Sequence, residues 1–168
     1  MNAALKLQQV KVDRSSTTIL GPLNWTISSG ERWVILGPNG AGKSTLLAVA
    51  SLRLHPTGGS VTVAGQKLGE CDIRPLRASI GFASPSLAQR LRPQLSAGEI
   101  VQCGLHGALE PWWHSYTDQD RAVAADALAN VGLAGFTETA FSTLSSGERQ
   151  RVLLARSLVQ EPSVLLLD

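Results

Sequence analysis

The sequence predicts an α/β fold, and three observations carry the prediction. Gly37-Pro38-Asn39-Gly40-Ala41-Gly42-Lys43-Ser44-Thr45 fits the phosphate-loop pattern G-x-x-x-x-G-K-[ST], between an apolar run and a helical pattern. Val164-Leu165-Leu166-Leu167 is an apolar run of strand length that ends on the carboxylate of Asp168. Ahead of the phosphate loop, two segments alternate as half-exposed strands do.

In chain order, Leu5 to Val12 alternates loosely and reads as a strand. Asp13 to Thr18 is polar and turn-like. Leu23, Trp25 and Ile27 share one face of a second strand, and Ser28-Ser29-Gly30 reads as a turn, so an antiparallel flap is expected. Trp33-Val34-Ile35-Leu36 is expected to be a strand, and Ser44 to Leu54 a helix with Leu47, Ala50 and Leu54 at helical spacing. His55-Pro56-Thr57-Gly58-Gly59 should stop that helix. Ser60 to Ala64 and Ser79 to Ala83 read as short strands. Ala97 to Leu105 and Asp118 to Val131 read as helices. Ala122, Ala125, Leu128 and Ala129 are the stripe of the second, Asp118 or Thr117 its cap, and Gly132 its end. Ser145-x-x-Glu148 is a capping box that opens another helix, with Val152, Ala155, Leu158 and Val159 buried and Pro162 closing it. Val164 to Leu167 reads as a buried parallel strand that delivers Asp168 to its C-terminal tip. The core is expected over residues 1–76 and 136–168, with a mainly helical subdomain over 77–135.

The chain has 168 residues, enough for one domain with a sizeable core. Its 43% hydrophobic and 17% charged residues fit a globular protein. A net charge of +2 argues against direct nucleic-acid binding. Cys71 and Cys103 lack metal-ligand spacing and fit a reduced, cytoplasmic setting. Met1 to Lys11 is too polar for a signal peptide, and no run reaches the roughly 18 apolar residues of a membrane span.

The phosphate loop has a mechanism. Glycines bring backbone N–H groups close to phosphate oxygens, and a helix N-terminus adds partial positive charge. Lys43 reaches the β- and γ-phosphates, and Ser44 offers an oxygen to Mg²⁺. Asp168, at a strand's carboxyl end, is a second candidate oxygen for that ion.

With Leu144-Ser145-Ser146-Gly147-Glu148-Arg149-Gln150-Arg151 added, the sequence resembles the ATP-binding-cassette (ABC) ATPases, whose LSGGQ-type signature these residues match. The resemblance covers essentially the whole chain. It implies a P-loop NTPase (RecA-like) core and a head-to-tail dimer with a second ABC subunit. ATP would then lie between Gly37–Thr45 of one subunit and Ser145 and the Gly147 backbone of the other. It also implies ATPase activity, transmembrane permease partners and a peripheral position on the inner face of the membrane. Gly30-Glu31-Arg32-Trp33, Leu76-Arg77 with Ile80-Gly81, Ala88 to Pro93 and Pro111-Trp112-Trp113 look like the ATPases of iron-complex importers.

The pattern is departed from in three places. Where the family stacks an aromatic on adenine, this sequence has Asp13 and Arg14. Arg14 either stacks by its guanidinium plane or is a solvated turn charge. Where the family has a metal-contacting glutamine, Ala83-Ser84-Pro85-Ser86 stands, with Ser84 as a weaker oxygen ligand or Gln89 further on. The family's general-base glutamate would follow Asp168, so this sequence ends as a C-terminally truncated ATPase domain, incomplete in fold and expected to be near-inactive in hydrolysis. His55, His106 and His114 are not placed to serve as the family's switch histidine. Trp112-Trp113 either docks a membrane partner or packs within the helical subdomain, packing being favoured. Arg90, Arg92, Arg149 and Arg151 read as solvated or ion-paired. The leading function is a transporter's ATP-binding subunit. The alternatives are a soluble ABC ATPase in nucleic-acid or ribosome-related work, or an inactive fragment.

Overall fold

The computed structural model describes residues 3–112 and 115–168, so the expectations for Trp113 and His114 lie outside the described residues. The chain falls into two compact units, residues 1–77 and 78–168.

In the first unit, β1 (Ala3–Arg14) and β2 (Thr17–Ser28) form an antiparallel hairpin. Ser15 and Ser16 close it with φ of 47° and 69°. Two central residues at positive φ match the twist of the strands they join. The turn is therefore two residues, narrower than Asp13 to Thr18. Asp13 and Thr18 pair across the ladder, and the Thr18 hydroxyl donates to Asp13 at 2.6 Å.

The loose alternation of β1 has a cause. Leu5, Leu7, Val10 and Val12 are all buried although their phase changes midway. The register shifts between Leu7 and Val10, where Gln9 takes a φ of 50°. A bulge absorbs the extra residue and returns the valines to the buried face. Asn24 Oδ1 accepts the Gln9 N–H at 2.8 Å.

α1 (Lys43–Ala50) follows the phosphate loop, and β3 (Gly58–Val63) and β4 (Gln66–Lys67) complete a sheet of order β2-β1-β3-β4. All its pairings are antiparallel, so the expected flap is present. α2 (Ile73–Ala78) ends this part of the chain.

Two expectations fail here. Trp33 to Leu36 is not a strand, and Val34 and Leu36 are 81% and 87% exposed. An apolar run becomes a strand only with a neighbour to take its backbone hydrogen bonds, and among the described residues none pairs with it. The helix after the phosphate loop ends at Ala50, short of Leu54. Leu52 turns left-handed at φ 58°, and the Arg77 guanidinium donates twice to its carbonyl, at 2.8 and 3.1 Å. The stop is thus set by a residue 25 positions away, ahead of Pro56.

In the second unit, β5 (Ile80–Ala83) and β6 (Val164–Leu167) pair in parallel, Ile80 opposite Val164 and Ala83 opposite Leu167. α3 (Pro85–Ala88), α4 (Ala97–Leu105), α5 (Asp118–Asn130) and α6 (Ser146–Leu158) lie between them in sequence, with one 3₁₀ turn at Phe141–Thr143. Capping boxes start α4, α5 and α6, at Ser96, Thr117 and Ser145. Thr117 rather than Asp118 is the cap of α5. Gly81 lets α6 approach β5 closely, since a Cβ there would sit 2.3 Å from the Ser157 carbonyl oxygen.

Three burial expectations need correction. β6 is half-buried, with Leu165 and Leu167 exposed, because among the described residues only β5 pairs with it. The buried face of α5 is Ala124 and Leu128, while Ala122 and Ala129 are exposed. Leu158 of α6 is exposed as well. Trp112 is 63% exposed, with the Arg92 guanidinium 5.0 Å over its ring, so for this tryptophan interior packing does not hold. Arg92 pairs with Glu110 as expected, whereas Arg149 and Arg151 donate to the carbonyls of Phe141 and Gly132.

Candidate functional site

The phosphate loop is built by backbone conformation. Gly40 and Gly42 hold φ of 83° and 84°, in the left-handed region that side chains disfavour. Gly42 caps α1 and has no room for a side chain, as a Cβ would lie 2.8 Å from the Ile19 carbonyl oxygen. The first helical bond runs from Leu46 N–H to Gly42 O at 2.8 Å. The N-terminus of α1, with the positive end of its dipole, thus starts at the loop. Lys43 Nζ folds over the loop and donates to the carbonyls of Gly37 and Pro38, each at 2.8 Å. Pro38 also accepts the Ala41 N–H, which closes the turn around Asn39 and Gly40. The result is an exposed loop with a cationic tip, backbone donors and the positive end of a helix.

Ile19 was not legible as part of this site. Its carbonyl, on β2, sets how close the hairpin comes to the loop, and a glycine's missing side chain carries no sequence signal for it. Arg14 is exposed beside the same hairpin turn, paired with Thr17. The neighbouring Asp13 is held below the usual aspartate value, chiefly by the Thr18 hydroxyl and then by Lys11.

In the second unit, the structure brings Asp168 beside Ala83 and Ser84. Asp168 N–H donates to the Ala83 carbonyl at 3.0 Å, at the carboxyl ends of the two parallel strands. Ser84 is buried and caps α3, its Oγ accepting the Leu87 N–H at 3.1 Å and lying 2.9 Å from Ser86 Oγ.

Ser145, Ser146 and Gly147 are exposed at the start of α6. Nothing lies within 4 Å of the place a Gly147 side chain would take. Glu148 closes the cap. Its carboxylate accepts from the Ser145 N–H at 2.8 Å and from the Ser145 hydroxyl at 2.7 Å. These bonds, the hydroxyl's first, hold Glu148 below the usual glutamate value. Cys71 and Cys103 are free thiols, and no helix of the described residues is long and apolar enough to cross a membrane.

Comparison with known proteins places this arrangement. The ABC transporter family model matches residues 20–168. The ABC transporter ATP-binding protein YmeB of Lactococcus lactis is 34% identical over 164 residues, covering 98% of this chain and 63% of that protein. The phosphonates import ATP-binding protein PhnC of Nitratidesulfovibrio vulgaris is 38% identical over 158 residues, covering 89% of this chain and 58% of that protein. Among solved structures, the ATP-binding cassette MJ0796, a dimer bound to ADP and Pi, superposes with a TM-score of 0.83. It is 29% identical, covering 98% of this chain and 73% of that one. CbiO1 of Clostridium perfringens, part of the transporter complex cbiONQ, gives a TM-score of 0.78 at 30% identity, covering 100% of this chain and 66% of that one. The chain spans a little under two thirds of the length of YmeB and two other curated relatives, 62% to 64%, and less of others, 58% for PhnC. A glycine-built loop, a helix capped at Ser145 and an aspartate at a parallel strand's end follow one another within the matched residues, and the chain belongs to the ABC transporter ATP-binding proteins.

Proposed function

We propose that this chain is the nucleotide-binding part of an ABC transporter's ATPase subunit. The observation that carries the reading is the loop from Gly37 to Thr45, where Gly40 and Gly42 hold left-handed backbone and Lys43 caps the loop's own carbonyls. ATP phosphates would take the first-turn donors of α1, and Lys43 would move from Gly37 and Pro38 onto the phosphates. Arg14 stacks on the base by its guanidinium plane. Residues 1–76 and 136–168 act as the nucleotide-binding core, and 77–135 as the helical subdomain.

Ser44 and Asp168 each offer a hard oxygen donor, a hydroxyl and a carboxylate, of the kind that would serve Mg²⁺. Ser84, already capping α3, is the weaker third oxygen. The ion, when bound, supplies neutralising charge to the phosphates. Ser145 and the Gly147 backbone serve the nucleotide held by a second ABC subunit arranged head to tail. Their exposure at the start of α6, with open space at Gly147, supports this. A permease partner and a peripheral position at a membrane go with this reading, which the likeness to CbiO1, part of the ABC transporter complex cbiONQ, supports.

The test is binding of a fluorescent ATP analogue with Mg²⁺ to this chain and to Lys43→Ala. Saturable binding is expected, weakened at least tenfold in the variant, about the value of one charge-assisted contact. Equal affinity in the two proteins would contradict the proposal.

A further inference from the structure

Arg156 is a buried cation that nothing described above uses. It lies on α6, is 5% exposed, and carries its guanidinium against the segment that follows α4. Gly104 lets α4 close on its stem, because a Cβ at that glycine would lie 2.6 Å from the Arg156 carbonyl oxygen and 3.1 Å from its Cγ. Arg156 Nη2 donates to the Ala108 carbonyl at 2.5 Å. Its Nε has no hydrogen-bond partner among the described residues, and no ion pair among them includes Arg156.

The groups that face this guanidinium are neutral. They are the Cys103 thiol and the Tyr116 phenol, and burial pushes both up, away from ionisation at neutral pH. Burial also holds the guanidinium below the usual arginine range, and an arginine still keeps its charge. A charge taken out of water is offset by a counter-charge or by a full set of hydrogen bonds, and Arg156 has neither. The segment over it is lightly held. It turns at Gly107, with φ of 63°, and the Gly107 and Ala108 N–H groups donate to the Gly104 and Cys103 carbonyls at 3.0 and 2.9 Å. On its outer side Glu110 pairs with Arg92 at 2.7 Å, a surface ion pair that contributes little. Cys103 itself is fully buried.

We propose that residues 106–112 form a strap that opens as a local unit, hydrating the Arg156 guanidinium and exposing the Cys103 thiol, while the helices around it stay folded. In the closed state one guanidinium nitrogen holds the Ala108 carbonyl and another is left unserved. In the open state water serves all five donors. The buried charge favours opening and the Ala108 bond opposes it. An uncompensated buried charge outweighs one hydrogen bond, so the strap is only weakly shut. Cys103 is then a gated thiol, inert under the strap and able to exchange with a disulfide when the strap is open. The inference does not rest on nucleotide binding and is tested without nucleotide.

The experiment follows labelling of Cys103 by an aromatic disulfide in the 168-residue chain carrying Cys71→Ser. The Cys103 thiol gives its proton to solvent and the thiolate attacks the reagent. A protein–reagent disulfide forms, and an aromatic thiolate leaves, whose absorbance gives the rate. In low urea the rate should be nearly flat, since a local opening exposes little surface, and should climb only where the whole chain unfolds. Arg156→Met keeps an apolar stem and removes the charge. It should slow labelling about tenfold and raise the urea midpoint, whereas Arg156→Lys, which keeps a charge, should not slow it. A guanidinium that served only as a tie would give the reverse, faster labelling in Arg156→Met. Faster or unchanged labelling in that variant would overturn the proposal. So would a rate that, with Arg156 in place, climbs in step with global unfolding from the lowest urea, a readout that needs no variant at Arg156.

Discussion

Gly42→Ala probes the contact that seats the phosphate loop against the hairpin. The perturbation has two parts. An alanine at φ 84° must hold a left-handed backbone, which costs roughly 1–2 kcal/mol. Its Cβ must also sit 2.8 Å from the Ile19 carbonyl oxygen, a backbone atom that yields only if β2 or the loop moves. Overpacking of that kind costs about 1–3 kcal/mol. The reduced entropy of the unfolded chain returns about 0.4–1 kcal/mol. The expected net loss is roughly 2–4 kcal/mol. Gly40→Ala is the matched control, with a φ of 83° and nothing within 4 Å of its Cβ. It carries the same backbone cost and the same unfolded-state gain but no clash. The difference between the two variants, about 1–3 kcal/mol, therefore isolates the contact with Ile19. Urea unfolding reads it as a lower midpoint for Gly42→Ala at an unchanged slope. If the two variants lose the same stability, the close approach of hairpin and loop is wrong.

Two further predictions concern the ends of helices. Arg77→Ala removes both donors to the Leu52 carbonyl and should cost about 1–3 kcal/mol, with faster amide exchange at Leu52 and Leu54; unchanged exchange would show that α1 stops for another reason. Glu148 is held below the usual glutamate value, so its contribution to the α6 cap is present above the unfolded value and is lost as pH falls through the lowered folded one. Its side-chain carbon should titrate below the ordinary glutamate range, and in Ser145→Ala the midpoint should rise toward that range. An ordinary midpoint in the unaltered chain would contradict the hydrogen bonds drawn to Ser145.

What was legible in the sequence was local. The phosphate loop is a string of consecutive residues whose conformation is set by glycines, and each capping box spans four positions. The glycine-set loop at Gly37–Thr45 and the box at Ser145 are both present and Thr117 is the cap of α5, whereas the equally local box at Ser96 went unread. What was not legible depended on partners distant in sequence. Trp33 to Leu36 has the composition of a strand, but a strand is a pairing, and no described residue pairs with it. The end of α1 turns on Arg77, and nothing between Ala50 and Pro56 announces it. The phase change at Gln8 and Gln9 was visible as looseness, and the cause, a bulge sealed by Asn24, needed the neighbouring strand to be seen. The site shows the same division. Lys43 and Ser44 are proposed from the motif alone, whereas the Ile19 carbonyl that fits against Gly42 had no signal in the sequence. Ser84 was read as a candidate metal ligand, and its oxygen proves also to cap α3.

The most direct test of the account is a residue-resolved amide titration of this chain with Mg-ATP. The backbone N–H groups of Gly40, Gly42, Lys43, Ser44 and Thr45 should show the largest saturable shifts, and Lys43→Ala should move their saturation to at least tenfold higher nucleotide. Shifts concentrated elsewhere, or a loop that does not respond to the nucleotide, would contradict the assignment of Gly37–Thr45 as its phosphate site.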